Sequence, residues 1–434
     1  MKLSFKSILT VLFLSSVIIF AGISIIKKHV KKNNDGSIKI ESDVIVYVNA
    51  AKSIINSENI YFDSNGEKNS YVYLPFFAFI NIPLILFQPL VIDISWYCIN
   101  IILLVLTIYL SYNLFTNKNL SQESYKTKWF FIGWSIFLSL RYIIRNFQDA
   151  NVNIVLLFFI IISFYLYYQK NNKWGLLFIG FAAAIKLFPL IFLIYFLMKK
   201  EFKGALIIFF GFVCSSFLPL FVINFHTFSN YIIIFYQYSQ KMFSSQGTMV
   251  ENYSIWGTLV RLFTNTPAFI LEGKVYFANL FSINIIIIKC IVYIINICIL
   301  FYMFYNSSQE RKKQDLQFRF QHIEWVIVLL LMNFVSILIE EFHVVTFLVA
   351  YLYLLVAYKE YGELSKRSYF IIIFSGIFSI LTAHDILVRI VGKDIFMRIL
   401  SLSIPLLPIG IILILFLNYL FRNSLKINEL KNDR

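Results

Sequence analysis

Residues 41–89 read ESDVIVYVNAAKSIINSENIYF (41–62), DSNGEKNS (63–70) and YVYLPFFAFINIPLILFQP (71–89). The last piece decides the fold. It is apolar enough to enter a bilayer, yet Pro75, Pro83 and Pro89 interrupt it. Proline inside a helix removes a hydrogen bond and kinks or ends it. If 73–90 crosses, every later loop changes side. Lys and Arg concentrate in cytoplasmic loops. With 73–90 on the outer surface and the N-terminus cytoplasmic, the cytoplasmic connectors hold Lys126 and Lys128; Lys170 and Lys173; Lys199, Lys200 and Lys203; and Lys359, Lys366 and Arg367. If 73–90 crosses, that bias is lost. The segment is therefore expected to be an interfacial or re-entrant helix. Lys27, Lys28, Lys31 and Lys32 then lie outside, in a long loop where the rule is weaker.

Working outward, apolar runs separated by polar punctuation fall at 8–26, 95–115, 129–145, 152–168, 174–185, 187–198, 204–224, 283–304, 325–340, 343–358, 368–388 and 398–421. The chain is 59% hydrophobic and only 14% charged, too apolar for one soluble core. The expected architecture is an all-α polytopic membrane protein, about 12 transmembrane helices plus interfacial helices, forming one domain over 1–434. Its parts are a first span at 8–26, an outer loop at 27–94, and a helical module at 95–224. A second outer loop at 225–282, C-terminal helices at 283–421 and a cytoplasmic tail at 422–434 complete it. The net charge of +15 suits anionic lipid head groups rather than nucleic acid. Cys98, Cys214, Cys290 and Cys298 sit inside apolar runs, without metal-ligand spacing, and read as small core residues.

This topology gathers the chemically useful residues on the outer face. Asp43 heads a helical apolar pattern; its carboxylate reads either as a helix cap or as a general base at the membrane surface. The cluster Arg141-Tyr142-Ile-Ile-Arg145-Asn146-Phe-Gln148-Asp149-Ala150-Asn151-Val152-Asn153 enters an apolar run. Arg145 alone could snorkel, but amides at membrane depth usually bond another helix or a polar ligand. Lys186 stands inside a long apolar run, three residues before Pro189. It fits a break between two short helices, either neutralising a phosphate or pairing with a carboxylate. Asn252, Ser254 and Arg261 belong to the 225–282 loop, which reads as a solvated loop. Glu340, Glu341 and His343 share a turn. They suggest a proton relay or a weak metal site at Glu341 and His343, or merely the polarity a tight turn needs.

Together these residues resemble the GT-C membrane glycosyltransferases. Asp43-xxx-Tyr47-xx-Ala50-Ala51, Ile60-Tyr61, Tyr73-Leu74-Pro75-Phe76 and Pro83-Leu84 are similar to that superfamily's first outer loop. Within it, the chain looks like glycosyltransferase family 87, the polyprenyl-phosphate-mannose-dependent α-mannosyltransferases. That branch carries an Arg and then Gly-Gln-x-Asn, met here by Arg145 and Ala150-Asn151-Val152-Asn153. Its Lys-x-x-Pro is met by Lys186 and Pro189. Its Asn-x-Ser-x-x-Gly with a following Arg is met by Asn252, Ser254, Gly257 and Arg261, and its late histidine turn by His343 alone.

The resemblance implies a GT-C fold and an inverting transfer of a hexose, mannose by family default. The donor would be a polyprenyl-phosphate sugar and the acceptor a glycan or glycolipid, at the outer face of the plasma membrane, with both termini cytoplasmic and no cofactor. Asp43 would be the base. Lys186, Arg145 and Arg261 would hold the donor phosphate, and Tyr47, Gln148, Asn151, Asn153, Asn252 and His343 the substrates. A polysaccharide polymerase or ligase, or a polytopic transporter, is the alternative. The former favours a large outer loop late in the chain; the latter should show internal repeats, and none is visible.

Overall fold

The computed structural model describes residues 20–32, 38–62, 70–116, 124–245, 249–307, 314–336, 338–360, 362, 364–404 and 407–432. Most of the first predicted span therefore lies outside the described residues. The chain is an all-α membrane protein, with two short β-hairpins among the described residues. Helix α1 covers residues 20–29. A hairpin of β1 (Val30–Lys32) and β2 (Ile38–Ile40) pairs Val30 with Ile40 and delivers the chain to α2 (Asp43–Ile55). The segment 73–90 is not one helix. It is α3 (Pro75–Ile80), a 3₁₀ turn (Ile82–Leu86), and the start of α4 (Pro89–Thr116). Six residues of α-helix rise only about 9 Å, so this piece does not span a bilayer as a helix.

The stretch predicted to span at 129–145 is broken as well. It comprises α5 (Tyr125–Lys128), a π turn (Trp129–Gly133), α6 (Trp134–Leu138) and α7 (Leu140–Asp149). Beyond them come α8 (Asn153–Phe164), α9 (Leu177–Ile185), α10 (Ile191–Met198) and α11 (Phe202–Phe217). The 225–282 interval is not a plain solvated loop. It holds α12 (Phe225–Ser245), α13 (Ile255–Phe263) and a hairpin of β3 (Phe269–Leu271) with β4 (Lys274–Tyr276). The C-terminal part is α14 (Ile285–Ser307), α15 (Gln314–Val335), α16 (Phe347–Lys359), α17 (Lys366–Leu381), α18 (His384–Val391), α19 (Lys393–Ser401) and α20 (Leu407–Asn432).

Among the described residues, three helical stretches are long and apolar enough to cross a membrane: Pro89–Thr116, Phe202–Phe221 and Glu341–Lys359. The third is the core of the molecule. Every residue from Phe347 to Ala357 is buried, as expected of a helix surrounded by other helices. Around it Phe115, Phe164 and Trp325 stack; the Phe164 and Trp325 ring centroids are 4.5 Å apart. In contrast α4, α11 and α14 turn large apolar side chains outward, among them Ile102, Phe209, Phe210 and Ile297. That is the face a lipid-bathed bundle presents. The four cysteines also face outward, contrary to the expectation that they fill the core, and none forms a disulfide.

One contact fixes where α9 ends. A Cβ on Gly180 would lie 2.4 Å from the Ile208 carbonyl oxygen and 2.5 Å from the Phe212 amide nitrogen; one on Gly211 would lie 2.8 Å from the Leu177 oxygen. Missing side chains let the α9 and α11 backbones touch, as small residues do in membrane interfaces. This anchors α9 just before Lys186.

Candidate active site

Asp43 is the first residue of α2, after an extended Ser42 that makes no side-chain cap. Its carboxylate does not cap the helix through its own turn. Asn151 Nδ2 instead donates to Asp43 Oδ2 at 2.6 Å. Asn153 Nδ2 donates to Asn151 Oδ1 at 2.7 Å, and Lys186 Nζ donates to Asn153 Oδ1 at 3.1 Å. Lys186 Nζ also lies 3.2 Å from His343 Nε2. Four separated parts of the sequence thus form one polar chain from Asp43 to His343.

Local folding explains each placement. Helix α7 ends with Ala150 in the left-handed region (φ 53, ψ 41). The Asn151 amide then bonds the Asn146 carbonyl and the Ala150 amide the Phe147 carbonyl. This double closure turns the chain sharply, aiming Asn151 at Asp43 and starting α8 at Asn153. Helix α9 stops at Ile185, Lys186 is extended (φ −136, ψ 133), and a 3₁₀ turn over Phe188–Leu190 follows. The lysine therefore sits in a helix break, surrounded by the rings of Tyr73, Phe188 and Phe342 with Nζ 5.2–5.6 Å from their centroids.

The turn carrying His343 is held from behind. Arg141 forms an ion pair with Glu341 and bonds Thr382 Oγ1 at 2.8 Å. Asn146 Nδ2 donates to the Phe342 carbonyl at 2.7 Å. Asn252 Oδ1 accepts from the amides of Ser254 and Ile339, both at 3.0 Å. Arg141, Asn146 and Tyr253, which also reaches Glu341, carry no motif of their own. Arg141 and Asn146 lie in the polar cluster on α7 and Tyr253 in the turn before α13, so the sequence shows their types but not their partners.

The proton positions along the chain follow from its donors. The Glu340 amide donates to His343 Nδ1 at 3.0 Å, so the ring hydrogen resides on Nε2. That N–H faces Lys186 Nζ and makes a good hydrogen bond only to the neutral amine. Burial drives Lys186 down to about 7 against the pull of Asp43 and Glu340. Lys186 is thus poised between amine and ammonium near neutral pH. Burial raises Asp43, while the Asn151 bond, Lys186, Arg145 and His29 oppose the rise. Glu340, in the loop between α15 and the Glu341 turn, is pushed by burial to about 7.

Other expected residues are placed differently. Arg145 bonds Asp149 Oδ2 at 2.9 Å and is partly exposed, near enough for its charge to act on Asp43. Burial raises Asp149 to about 6 despite Arg145. Tyr47, one turn beyond Asp43, is buried with its hydroxyl 3.2 Å from that of Tyr73. Gln148 contributes its backbone carbonyl, which binds His29 Nε2 at 2.7 Å. Arg261 is fully buried and spends its donors on the Met249, Asn252 and Ser401 carbonyls and Ser403 Oγ. With Asn252 it braces the 249–261 segment rather than joining the Asp43 chain. The metal candidates are likewise engaged: Glu341 with Arg141, and both His343 ring nitrogens as described.

The family model described as "Glycosyltransferase family 87" matches residues 71–332, which include Arg145, Asn151, Asn153, Lys186, Asn252 and Arg261 but not Asp43 or His343. No curated protein and no solved structure matches the chain.

Proposed function

Because the chain belongs to glycosyltransferase family 87 and is a membrane glycosyltransferase, we propose that it moves a hexose, mannose by family default, from a polyprenyl-phosphate donor to a glycan or glycolipid hydroxyl. In this reading the fold is GT-C with about 12 spans, and the site opens on the outer face of the plasma membrane with both termini cytoplasmic. The observation that carries the reading is the chain Asp43–Asn151–Asn153–Lys186–His343. It supports the reading because the Asp43 carboxylate and the Lys186 Nζ stand at opposite ends of two hydrogen-bonded amide side chains.

The chemistry divides between the ends. Asp43 takes the acceptor's hydroxyl proton as that oxygen forms its bond to the anomeric carbon. The bond from the anomeric carbon to the phosphate oxygen breaks on the opposite face, inverting the centre. The departing lipid phosphate gains negative charge, which the Lys186 ammonium stabilises. Arriving phosphate favours the protonated lysine, so donor binding draws a proton onto Nζ and displaces it from His343 Nε2–H. Burial of Asp43 makes it a stronger base than a solvated carboxylate. Asn151 and Asn153 hold the two ends apart and orient the sugar between them. Arg145 adds positive charge near the donor.

Membranes carrying the protein, supplied with labelled polyprenyl-phosphate sugars, test the reading. The expected result is label transferred to a glycan or glycolipid by wild type and by no Asp43→Asn sample, with donor binding retained in both. Full transfer by Asp43→Asn removes the base assignment.

A further inference from the structure

We infer that His29 is a positioning residue for the reaction, a clamp that sets the Asp43 carboxylate against Asn151. The inference rests on the reading of Asp43 as the base. His29 ends α1, at the junction with the β1–β2 hairpin, and only 5% of its surface is exposed. It bonds the chain just ahead of each half of the catalytic pair. Its backbone carbonyl accepts from the Glu41 amide at 2.9 Å, two residues before Asp43. Its ring Nε2 reaches the Gln148 carbonyl at 2.7 Å, three residues before Asn151. Its Nδ1 reaches Asp93 Oδ2, in the first turns of α4, also at 2.7 Å.

The hydrogen count is fixed by these partners. A carbonyl only accepts, so Nε2 carries a hydrogen. Nδ1 faces a carboxylate, so a second proton lies between His29 and Asp93, and the ring behaves as a cation paired with Asp93. The end of a helix is a favourable place for that charge. The charges acting on it come from Asp93 on α4 and Asp149 at the end of α7, where Arg145 pairs with Asp149; Asp43 at the start of α2 feels its charge, and the adjoining hairpin carries Lys31, Lys32 and Lys39. The His29 cation in turn helps hold the Asp43 carboxyl down. One buried residue therefore holds the strand that leads to the base through its backbone, and through its side chain the turn that supplies the base's partner and part of the field acting on the base.

Two variants separate the clamp from the charge. His29→Gln loses the two-sided bridge and the charge. It is expected to lower kcat at least about ten-fold, with donor KM within two-fold of wild type, and to move the acid limb of the kcat–pH profile to higher pH. Asp93→Asn leaves the Nε2–H bond to Gln148 but releases the second proton. It is expected to shift the same limb with a smaller loss of kcat. The double variant should be no worse than His29→Gln alone, because the two act as one unit. Assays use labelled polyprenyl-phosphate mannose, with melting temperature measured on each purified variant. A His29→Gln enzyme with wild-type kcat and an unmoved profile overturns the inference. So does a loss explained by less folded protein with the profile unmoved. Asp43→Asn is run beside them: if it keeps transfer, the base assignment fails first; if it is inactive while His29→Gln is normal, the clamp alone fails.

Discussion

Two half-buried lysines flank α10, and they are solved in opposite ways. Lys199 has Glu324 Oε2 at 2.5 Å, and Tyr195 supports the same carboxylate at 3.2 Å. Lys186, among the described residues, has no carboxylate within ion-pair distance; it has an amide oxygen and a histidine that presents N–H. A buried charge costs free energy unless it is paired. The paired lysine reads as architecture. The unpaired one is the lysine that the proposed reaction gives to the donor phosphate, and burial draws it down to about 7. Buried polarity alone does not mark a site; buried polarity without its complement does.

The widest split between the two regions should appear at their carboxylates. Asp43→Asn is expected to cut transfer by about 10²–10⁴-fold with little change in melting temperature. Glu324→Gln should do the reverse, costing about 3–5 kcal/mol of stability by stranding Lys199 while leaving turnover per folded molecule near wild type. Enzyme assays paired with thermal melts check both. A Glu324→Gln enzyme that melts normally but turns over poorly would merge the two regions into one.

The lysines themselves give the next contrast. Lys186→Met should weaken donor binding by about 10–100-fold, the worth of a charged hydrogen bond of about 1.5–3 kcal/mol. It should also raise the melting temperature, because an uncompensated buried amine is replaced by an apolar side chain. Lys199→Met should lower the melting temperature and leave donor affinity alone. If both lysines stabilise the fold, Lys186 is structural too.

pH sharpens the same comparison. Lys186 titrates at about 7 in the fold, below an ordinary lysine. Between about 7 and the ordinary lysine value near 10.4 the unfolded chain therefore holds the extra proton, and stability rises with pH across that window. Donor affinity should move oppositely, falling as pH climbs through about 7 and the ammonium is lost. Turnover should also fall on the acid side, as Asp43, raised by burial, takes up a proton. Lys186→Met should flatten the stability slope in urea titrations at several pH values. An unchanged slope assigns the titration to another group.

Much of this was legible in the sequence, for physical reasons. Prolines at 75, 83 and 89 mark the segment expected not to span, and the structure breaks there into a six-residue helix and a 3₁₀ turn. A lysine three residues before a proline in an apolar run marks the helix break at 186. Types and order of polar residues are local information. Their partners are not. Arg261 and Asn252 carry the same letters as ligand-binding residues, yet Arg261 is spent on backbone carbonyls and Ser403 Oγ, and Asn252 Oδ1 on two backbone amides. His29 and Asp93 read as one polar residue in a basic stretch and one beside an apolar run. Only the approach of α1, α4 and α7 makes them a pair. The 225–282 interval likewise reads as loop because polar residues are scattered along the 21-residue α12 and α13 is only nine residues long, stabilised by a Ser254 cap on the Gly257 amide.

The smallest expected effect concerns the turn that aims Asn151. Ala150 holds φ 53, a conformation that costs an L-residue roughly 1–2 kcal/mol and that glycine adopts freely. The resembled Gly-Gln-x-Asn element carries glycine at this place, so the left-handed turn explains why that residue type belongs there. Ala150→Gly should relieve the strain while adding freedom to the unfolded chain worth about 0.4–1 kcal/mol. The net expectation is a gain of roughly 0.5–1 kcal/mol in thermal or urea unfolding, with transfer within two-fold of wild type. The two readouts divide the turn's roles. A gain in stability with a loss of transfer would mean that the alanine stiffens the turn, holding Asn151 on Asp43 at the expense of fold stability. That would extend the pattern of Lys186, where the fold gives up stability at the residue the reaction uses.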